Sequence, residues 1–70
     1  MNTIEKRNLV YAKFTAERAA DGARELLDSK YATSQMSEKE IAALRSCAEF
    51  LQKIRVRFKK KYDKEKAWED

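Results

Sequence analysis

Residues 36–41, MSEKEI, contain the strongest local signal in the sequence. The hydroxyl of Ser37 can accept a hydrogen bond from the backbone N–H of Glu40, while the Glu40 carboxylate can accept one from the backbone N–H of Ser37. Met36 and Ile41 flank this capping box at the spacing of a hydrophobic staple. The stretch therefore predicts that a helix begins at residue 37.

An apolar seam continues from this start toward the C-terminus. It recurs at alternating spacings of three and four, the heptad pattern of a helix that packs along one side, and it consists of Leu44, Cys47, Leu51, Ile54, Phe58 and Tyr62. Residues 53–59, KIRVRFK, alternate basic and apolar side chains as a β-strand would, but Ile54 and Phe58 stay in phase with the helical seam. We expect one helix over about 37–66.

Basic side chains are concentrated on this helix. Residues 53–66 carry eight basic and two acidic side chains, a local charge of +6 in a chain whose net charge is +4. On a helix they form two rows that flank the seam, namely Lys53, Arg57, Lys60 and Lys64 in one row and Arg55, Lys59 and Lys66 in the other. Two interpretations stay open. The aliphatic parts of these side chains can cover the edges of the seam while their charged groups remain in water, or the two rows can bind an anionic partner.

The N-terminal half predicts a second helix, over about 4–30, which opens at a weaker capping box formed by Asn2 and Glu5. Its apolar residues fall within an arc of about 120°, and they are Leu9, Ala12, Ala16, Ala19, Ala20, Ala23, Leu26 and Leu27. Gly22 costs roughly 1 kcal/mol inside a helix, but the apolar spacing passes through it without a change of phase, so we expect a continuous helix. Residues 31–36 are expected to be a connection.

These elements predict an all-α fold, an antiparallel two-helix hairpin that forms a single domain over residues 1–70. Because one hairpin leaves half of each apolar seam in water, we expect two chains to pair into a four-helix bundle, or one chain to dock on another protein. The candidate residues for a dimer or partner contact are Val10, Tyr11, Phe14 and Trp68. The alternative for the first three is that they pack beneath the basic C-terminal segment.

The composition argues against catalysis. The chain has no histidine, the commonest general base and metal ligand, and a single glycine, too few for a glycine-rich phosphate loop. Cys47 is the only cysteine, so it has no intrachain disulfide partner, and we expect it to be a small core residue in a reducing compartment. We therefore expect no enzymatic activity, no metal and no cofactor. Since no apolar run approaches the ~20 residues of a membrane span, we expect a cytoplasmic protein without a membrane partner.

Binding is the remaining class of function. In the first hypothesis, nucleic-acid phosphates are contacted by the basic residues Lys53, Arg55, Arg57, Lys59, Lys60, Lys61 and Lys64. Phe58, Tyr62 or Trp68 would add stacking on bases. In the second hypothesis, the chain is an inhibitor or adaptor of a larger protein, with the anchors Tyr11, Phe14, Tyr31 and Trp68. Attachment to anionic lipid is a third and weaker hypothesis, because few large apolar residues oppose the lysines.

Part of the first helix resembles a known family, through Glu5, Lys6, Leu9, Ala12, Lys13 and Phe14. These residues resemble the opening of the Rop family, small plasmid proteins whose helical hairpins dimerise into a four-helix bundle and bind paired RNA loops on their first helices. The resemblance, which covers residues 1–14, implies that Lys13 and Phe14 face RNA. The size and shape are also typical of phage and plasmid accessory proteins, and a small regulator of that kind is our expectation.

Overall fold

A computed structural model describes residues 2–67, and all of its regular structure is helical. Three helices follow one another along the chain, α1 at Thr3–Asp28, α2 at Lys30–Ser34 and α3 at Glu38–Lys64. The two long helices, α1 and α3, pack against each other. The all-α class and the hairpin of two long helices are therefore confirmed. Within residues 2–67, no helix is long and apolar enough to cross a membrane.

Helix α1 begins at a side-chain cap and runs through Gly22 without a break. The Asn2 side chain accepts a hydrogen bond of 2.8 Å from the backbone N–H of Glu5 and donates one of 3.1 Å to the Glu5 carboxylate. A Cβ placed on Gly22 would meet no atom within 4 Å, apart from the backbone of its own helix turn. Gly22 is thus not required for a turn or for close packing within this chain.

The joint at Ser29 differs from the sequence prediction. Residues 31–36 were expected to be a connection, but α2 occupies most of this stretch. Ser29 ends α1 in an extended conformation, and its hydroxyl accepts a 3.1 Å hydrogen bond from the backbone N–H of Ala32, which begins α2. The Thr33 hydroxyl donates back to the Ser29 carbonyl at 2.9 Å. The Ser and Thr side chains that suggested a loop therefore act as caps of a short helix.

Helix α3 begins at the predicted capping box. The backbone N–H of Ser37 donates to the Glu40 carboxylate at 2.8 Å, and the backbone N–H of Glu40 donates to the Ser37 hydroxyl at 3.2 Å. The pKa of the Glu40 carboxyl group is lowered below its ordinary value of 4.5. The main cause is its hydrogen bond with the backbone N–H of Ser37, and the second cause is hydrogen bonding with the Ser37 side chain. Helix α3 then continues to residue 64, so the alternating stretch 53–59 is helical, as predicted from its phase.

The C-terminal end of α3 is closed by a Schellman motif. The backbone N–H of Ala67 donates to the Tyr62 carbonyl at 3.1 Å, and the N–H of Lys66 donates to the Asp63 carbonyl at 3.3 Å. Lys66 has a φ of 49°, in the left-handed region where glycine is usual. Lys66 therefore lies outside α3, although the sequence analysis had placed it in a helical row.

The core between α1 and α3 is thin. The helices run antiparallel, since Lys13 lies near Tyr62 whereas Asp21, further along α1, reaches back to Arg55. The buried apolar residues are Leu9, Ala16, Ala20, Ala23 and Ala67, and no large side chain of the described residues is fully buried. Half-buried side chains of α3 supply the other half of the contact, and they are Ile41, Leu44, Ala48, Leu51, Ile54, Phe58 and Tyr62.

Two expectations about this core are wrong. Ala19 and Leu26 were placed in the seam of α1 but are exposed, and Cys47 was expected to be a core residue of α3 but is exposed as well. Ala48 takes the place of Cys47 in the contact. The physical reason is geometric, because an arc of about 120° is wider than the strip that a single neighbouring helix can cover.

Candidate functional site

The two basic rows of α3 differ in whether their charges are neutralised. The row that contains Arg55 and Lys59 is called the inner row here, because it lies nearer to α1. A guanidinium nitrogen of Arg55 (Nη1) lies 3.2 Å from an Asp21 carboxylate oxygen, and Lys59 Nζ lies 2.9 Å from an Asp63 carboxylate oxygen. The hydrogen bond that Lys59 donates to the Asp63 carboxylate is the main cause that raises the pKa of Lys59 above 10.5, and it acts against desolvation. Lys59 thus stays protonated, but its charge is balanced by a neighbour.

The other row, together with the neighbouring Lys61, forms a separate surface that we call the basic ridge. The basic ridge consists of Lys53, Arg57, Lys60, Lys61 and Lys64. All five side chains are exposed, and none forms an ion pair with a carboxylate of residues 2–67. Four of them lie within an arc of about 60°, bordered by Lys61, on the side of α3 that points away from α1. From its first to its last residue the ridge extends over about 16 Å. It is therefore a continuous line of positive charge that no carboxylate of the described part of the chain neutralises.

A third ion pair, on α1, completes a polar side of the hairpin. Lys13 Nζ lies 3.1 Å from a Glu17 carboxylate oxygen. At about 100° per residue, all three ion pairs fall on the same flank of the helix contact. We call this side the paired face, consisting of Lys13, Glu17, Asp21, Arg55, Lys59 and Asp63.

Lys13 is a site residue that the sequence analysis assigned to the wrong surface. It is only 8% exposed, and its Nζ lies 4.2 Å from the centroid of the Phe14 ring and 4.6 Å from that of Tyr62. A charge held against an acid and two rings in the helix contact does not face a ligand in solution. The implication of the Rop resemblance that Lys13 faces RNA is therefore not met in this structure. The spacing of Leu9, Lys13 and Ala16 was the signal that could have placed Lys13 in the seam.

The aromatic residues fall into an exposed and a partly buried group. Tyr11 is 72% exposed, and Phe14 is also exposed on the outer side of α1, whereas Val10 is half-buried. Phe58 and Tyr62 are half-buried in the contact with α1, so they are not presented beside the basic ridge for stacking on bases. The predicted contact residue Trp68 lies outside the described residues.

A shallow groove on the paired side of the hairpin carries further positive charge. It is lined by Ala20, Arg24 and Leu27 of α1 and by Arg45, Ala48, Glu49, Gln52 and Lys53 of α3. Sequence reasoning had not connected Arg24 with Lys53, because the two come from different helices and line one groove only in the folded hairpin.

The described residues provide no cluster of acidic or cysteine side chains that could hold a metal ion. Comparisons of the chain with protein-family models, with curated proteins and with solved structures find no match. Function is therefore argued from the geometry of the hairpin itself.

Proposed function

We propose that this chain is a small non-enzymatic regulatory protein that binds the phosphate backbone of nucleic acid through the basic ridge. The observation that supports this proposal is the difference between the two rows of α3. Arg55 and Lys59 are paired with carboxylates, whereas the five ridge residues are exposed and have no acidic partner among residues 2–67. Free, aligned positive charge is what a phosphate backbone attracts.

The dimensions of the ridge suit a backbone contact. Its length of about 16 Å corresponds to roughly five base pairs at 3.4 Å each. Arg57 adds a planar guanidinium that can bind a phosphate through two hydrogen bonds. Contacts of this kind give affinity and register but little sequence information, so we propose recognition of charge and shape rather than of bases.

We further propose that two chains form the binding unit by pairing into a four-helix bundle. Support comes from the thin core, in which four of the five buried apolar residues are alanines. A domain of this size rarely gains more than about 3–5 kcal/mol from its own core, and a second chain would add buried apolar surface. A cytoplasmic location is also part of the proposal, because a lone cysteine suits a reducing compartment.

The experiment that tests nucleic-acid binding is a salt series of affinities for duplex DNA and duplex RNA. About four phosphate contacts predict a slope of log K against log salt near −3.6. The double variant Arg57→Glu/Lys60→Glu should lose binding and keep its helical circular dichroism. The matched control, Lys30→Glu/Lys39→Glu, removes the same net charge at exposed positions near the loop and should keep most of the binding. Absence of binding at low salt, or an equal loss in both double variants, would reject the ridge as the site.

A second candidate function is supported by the exposed aromatic residues of α1. Tyr11 and Phe14 present large rings to solvent on the outer side of the hairpin, away from the basic ridge. Exposed rings of this kind are typical anchors in protein interfaces, so the alternative is an inhibitor or adaptor of a larger protein. In that case Tyr11→Ala or Phe14→Ala should release a host protein in an affinity pull-down, whereas Arg57→Glu/Lys60→Glu should retain it.

A further inference from the structure

The side of the hairpin opposite the paired face carries little charge, and the exception is Lys61 of the basic ridge, near the C-terminal end of α3. We call it the uncharged face, and it consists of Ala12, Thr15, Ala19, Gly22 and Leu26 of α1 with Ala43, Cys47, Phe50 and Ile54 of α3. At about 100° per residue, each group lies on one flank of its helix. Because the two helices are antiparallel, these flanks point to the same side of the hairpin.

This face is open in the single chain. Phe50 is 61% exposed, Leu26 is 49% exposed and the Cys47 thiol is exposed. The space above Gly22 is empty of side chains to at least 4 Å from where a Cβ would lie. A contiguous apolar surface of this kind usually marks an interaction site.

A whole long side of the hairpin has the area of a stable protein interface. The hairpin measures 46 × 16 × 15 Å between Cα atoms, so one long side, of which the uncharged face is the apolar part, offers roughly 700 Å² and two chains would bury roughly 1,400 Å² together. Specific interfaces bury about 1,200–2,000 Å² in total. Pairing along the whole side therefore reaches this range, with the uncharged face as the apolar centre and polar residues as the rim.

The bulky side chains of the uncharged face lie near the middle of the hairpin. Because Asp21 lies beside Arg55, Leu26 of α1 is level with about residue 50 of α3, close to Phe50 and Ile54. Small residues lie on both sides of this cluster, Ala43 and Cys47 toward the loop that joins α2 to α3, and Ala12 and Thr15 toward the opposite end, which we call the open end. Side-chain size therefore favours packing along this face but does not select a direction for the second hairpin.

Charge selects the direction of the second hairpin. Residues 21–49, which form the loop end, contain four basic and six acidic side chains, a net charge of −2. Residues 2–20 and 50–67, which form the open end, contain twelve basic and four acidic side chains, a net charge of +8. Two hairpins that run in the same direction would bring two strongly positive ends together, whereas opposite directions place each positive end beside a negative one.

We infer that the uncharged face binds a second copy of this chain, with the two hairpins running in opposite directions. The inference rests on the proposed pairing of two chains and specifies the surface and the orientation. It also assigns Cys47 to the interface between chains, because this thiol lies in the middle of the α3 part of the face.

The surface is tested by two matched substitutions on α3 and by sedimentation equilibrium of the full chain. Phe50→Glu places a carboxylate in the uncharged face, whereas Val56→Glu places one at an exposed apolar position outside it. We expect the wild type and Val56→Glu to sediment as dimers of the 8.2 kDa chain. Phe50→Glu should raise the dissociation constant at least about 100-fold, because a buried carboxylate without a partner is strongly unfavourable.

The orientation is tested by spin labels at the loop. The double variant Cys47→Ser/Gln35→Cys carries its one label near the tip of the hairpin, and pulsed dipolar spectroscopy measures the distance between the two labels of a dimer. Opposite directions predict about 40 Å or more, since the labels then lie at the two ends of the bundle, whereas a common direction predicts less than about 25 Å. The label-free double variant is sedimented first to verify that it is still dimeric.

The possible failures are distinguishable. A wild-type chain that is monomeric up to millimolar concentration would reject pairing itself, while the salt series would still decide the nucleic-acid contact independently. A dimer that survives Phe50→Glu, or that dissociates equally in Val56→Glu, would reject the uncharged face. A short distance between loop labels in a dimer that does dissociate with Phe50→Glu would reject only the orientation.

Discussion

The paired face and the uncharged face lie on opposite sides of the same two helices, and they are organised by different forces. On the paired face, three ion pairs have distances of 2.9 to 3.2 Å, and one of them, between Asp21 and Arg55, connects α1 to α3. On the uncharged face, side chains such as Phe50 make no such links and stay exposed. The charged side chains of the paired face therefore have partners within the chain, whereas apolar side chains of the uncharged face stay exposed to water.

This difference distinguishes the contacts that fold one chain from the surface that is available to a second chain. The ion pair of Asp21 with Arg55 joins α1 to α3, although an exposed pair adds little free energy. The alanines beneath it allow close approach of the helices but bury little area. Further apolar area, including that of Leu26 and Phe50, is exposed on the uncharged face and can be buried only by a partner.

The largest expected effect distinguishes two neighbouring alanines. Ala20 is buried between the helices, whereas Ala19 is exposed on the uncharged face. Ala20→Gln should destabilise the hairpin by about 2–4 kcal/mol, enough to unfold most of it, because a longer polar side chain must enter a filled contact.

Ala19→Gln is the matched control, and it should cost less than about 1 kcal/mol, since glutamine is nearly as good a helix former as alanine. Urea unfolding followed by circular dichroism measures both variants. Equal losses would contradict the assignment of the two alanines to different sides.

The next effect concerns the Cys47 thiol on the uncharged face. If two chains cover this face, the rate of Cys47 modification by a soluble disulfide reagent should fall at least about tenfold as the protein concentration rises above the dissociation constant. In Phe50→Glu the rate should be high and independent of concentration over the same range. A wild-type rate that does not change with concentration, in samples that sedimentation shows to be dimeric, would place Cys47 outside the interface.

Sequence reasoning predicted the helices well and their faces less well. The start of α3 could be predicted because the capping box of Ser37 and Glu40 is a local arrangement of four residues. Whether Cys47 or Ala48 enters the contact could not be predicted in the same way, because both lie within the apolar arc and only the position of α1 selects between them. The side of the hairpin on which a residue lies is a property of the packed pair, not of one helix.

The candidate site shows the same limit. The basic ridge was predictable as a row, since its members follow helical spacing. Its separation from Arg55 and Lys59 was not, because the carboxylate that neutralises Arg55 belongs to Asp21, 34 residues away. Lys13 was misassigned for the opposite reason, since a lysine is usually exposed and its burial depends on Glu17 and two rings that fold around it.

A third and smaller effect tests what Lys13 contributes to the paired face. Lys13→Ala should cost about 1–2 kcal/mol, because it removes the packed methylene stem and the contact with the ring of Tyr62. Lys13→Met keeps the stem and replaces the cation by a sulfur that also packs on rings, so it should remain within about 0.5 kcal/mol of the wild type. Thermal unfolding at a fixed concentration provides the comparison. An equal loss in both variants would show that the charge, rather than the stem, is what stabilises the helix contact.

The smallest expected effect tests whether the ion pair between Asp21 and Arg55 mainly fixes register. Asp21→Asn should destabilise the hairpin by only about 0.2–0.5 kcal/mol, and the difference from the wild type should vanish in about 1 M salt, because both side chains are substantially exposed. Glu25→Asn is a suitable control, since Glu25 is also an exposed acidic residue of α1 but has no ion pair within residues 2–67. If Asp21→Asn instead cost several kcal/mol at high salt, the paired face would be a main source of stability, and the proposed dependence of the hairpin on its uncharged face would lose its basis.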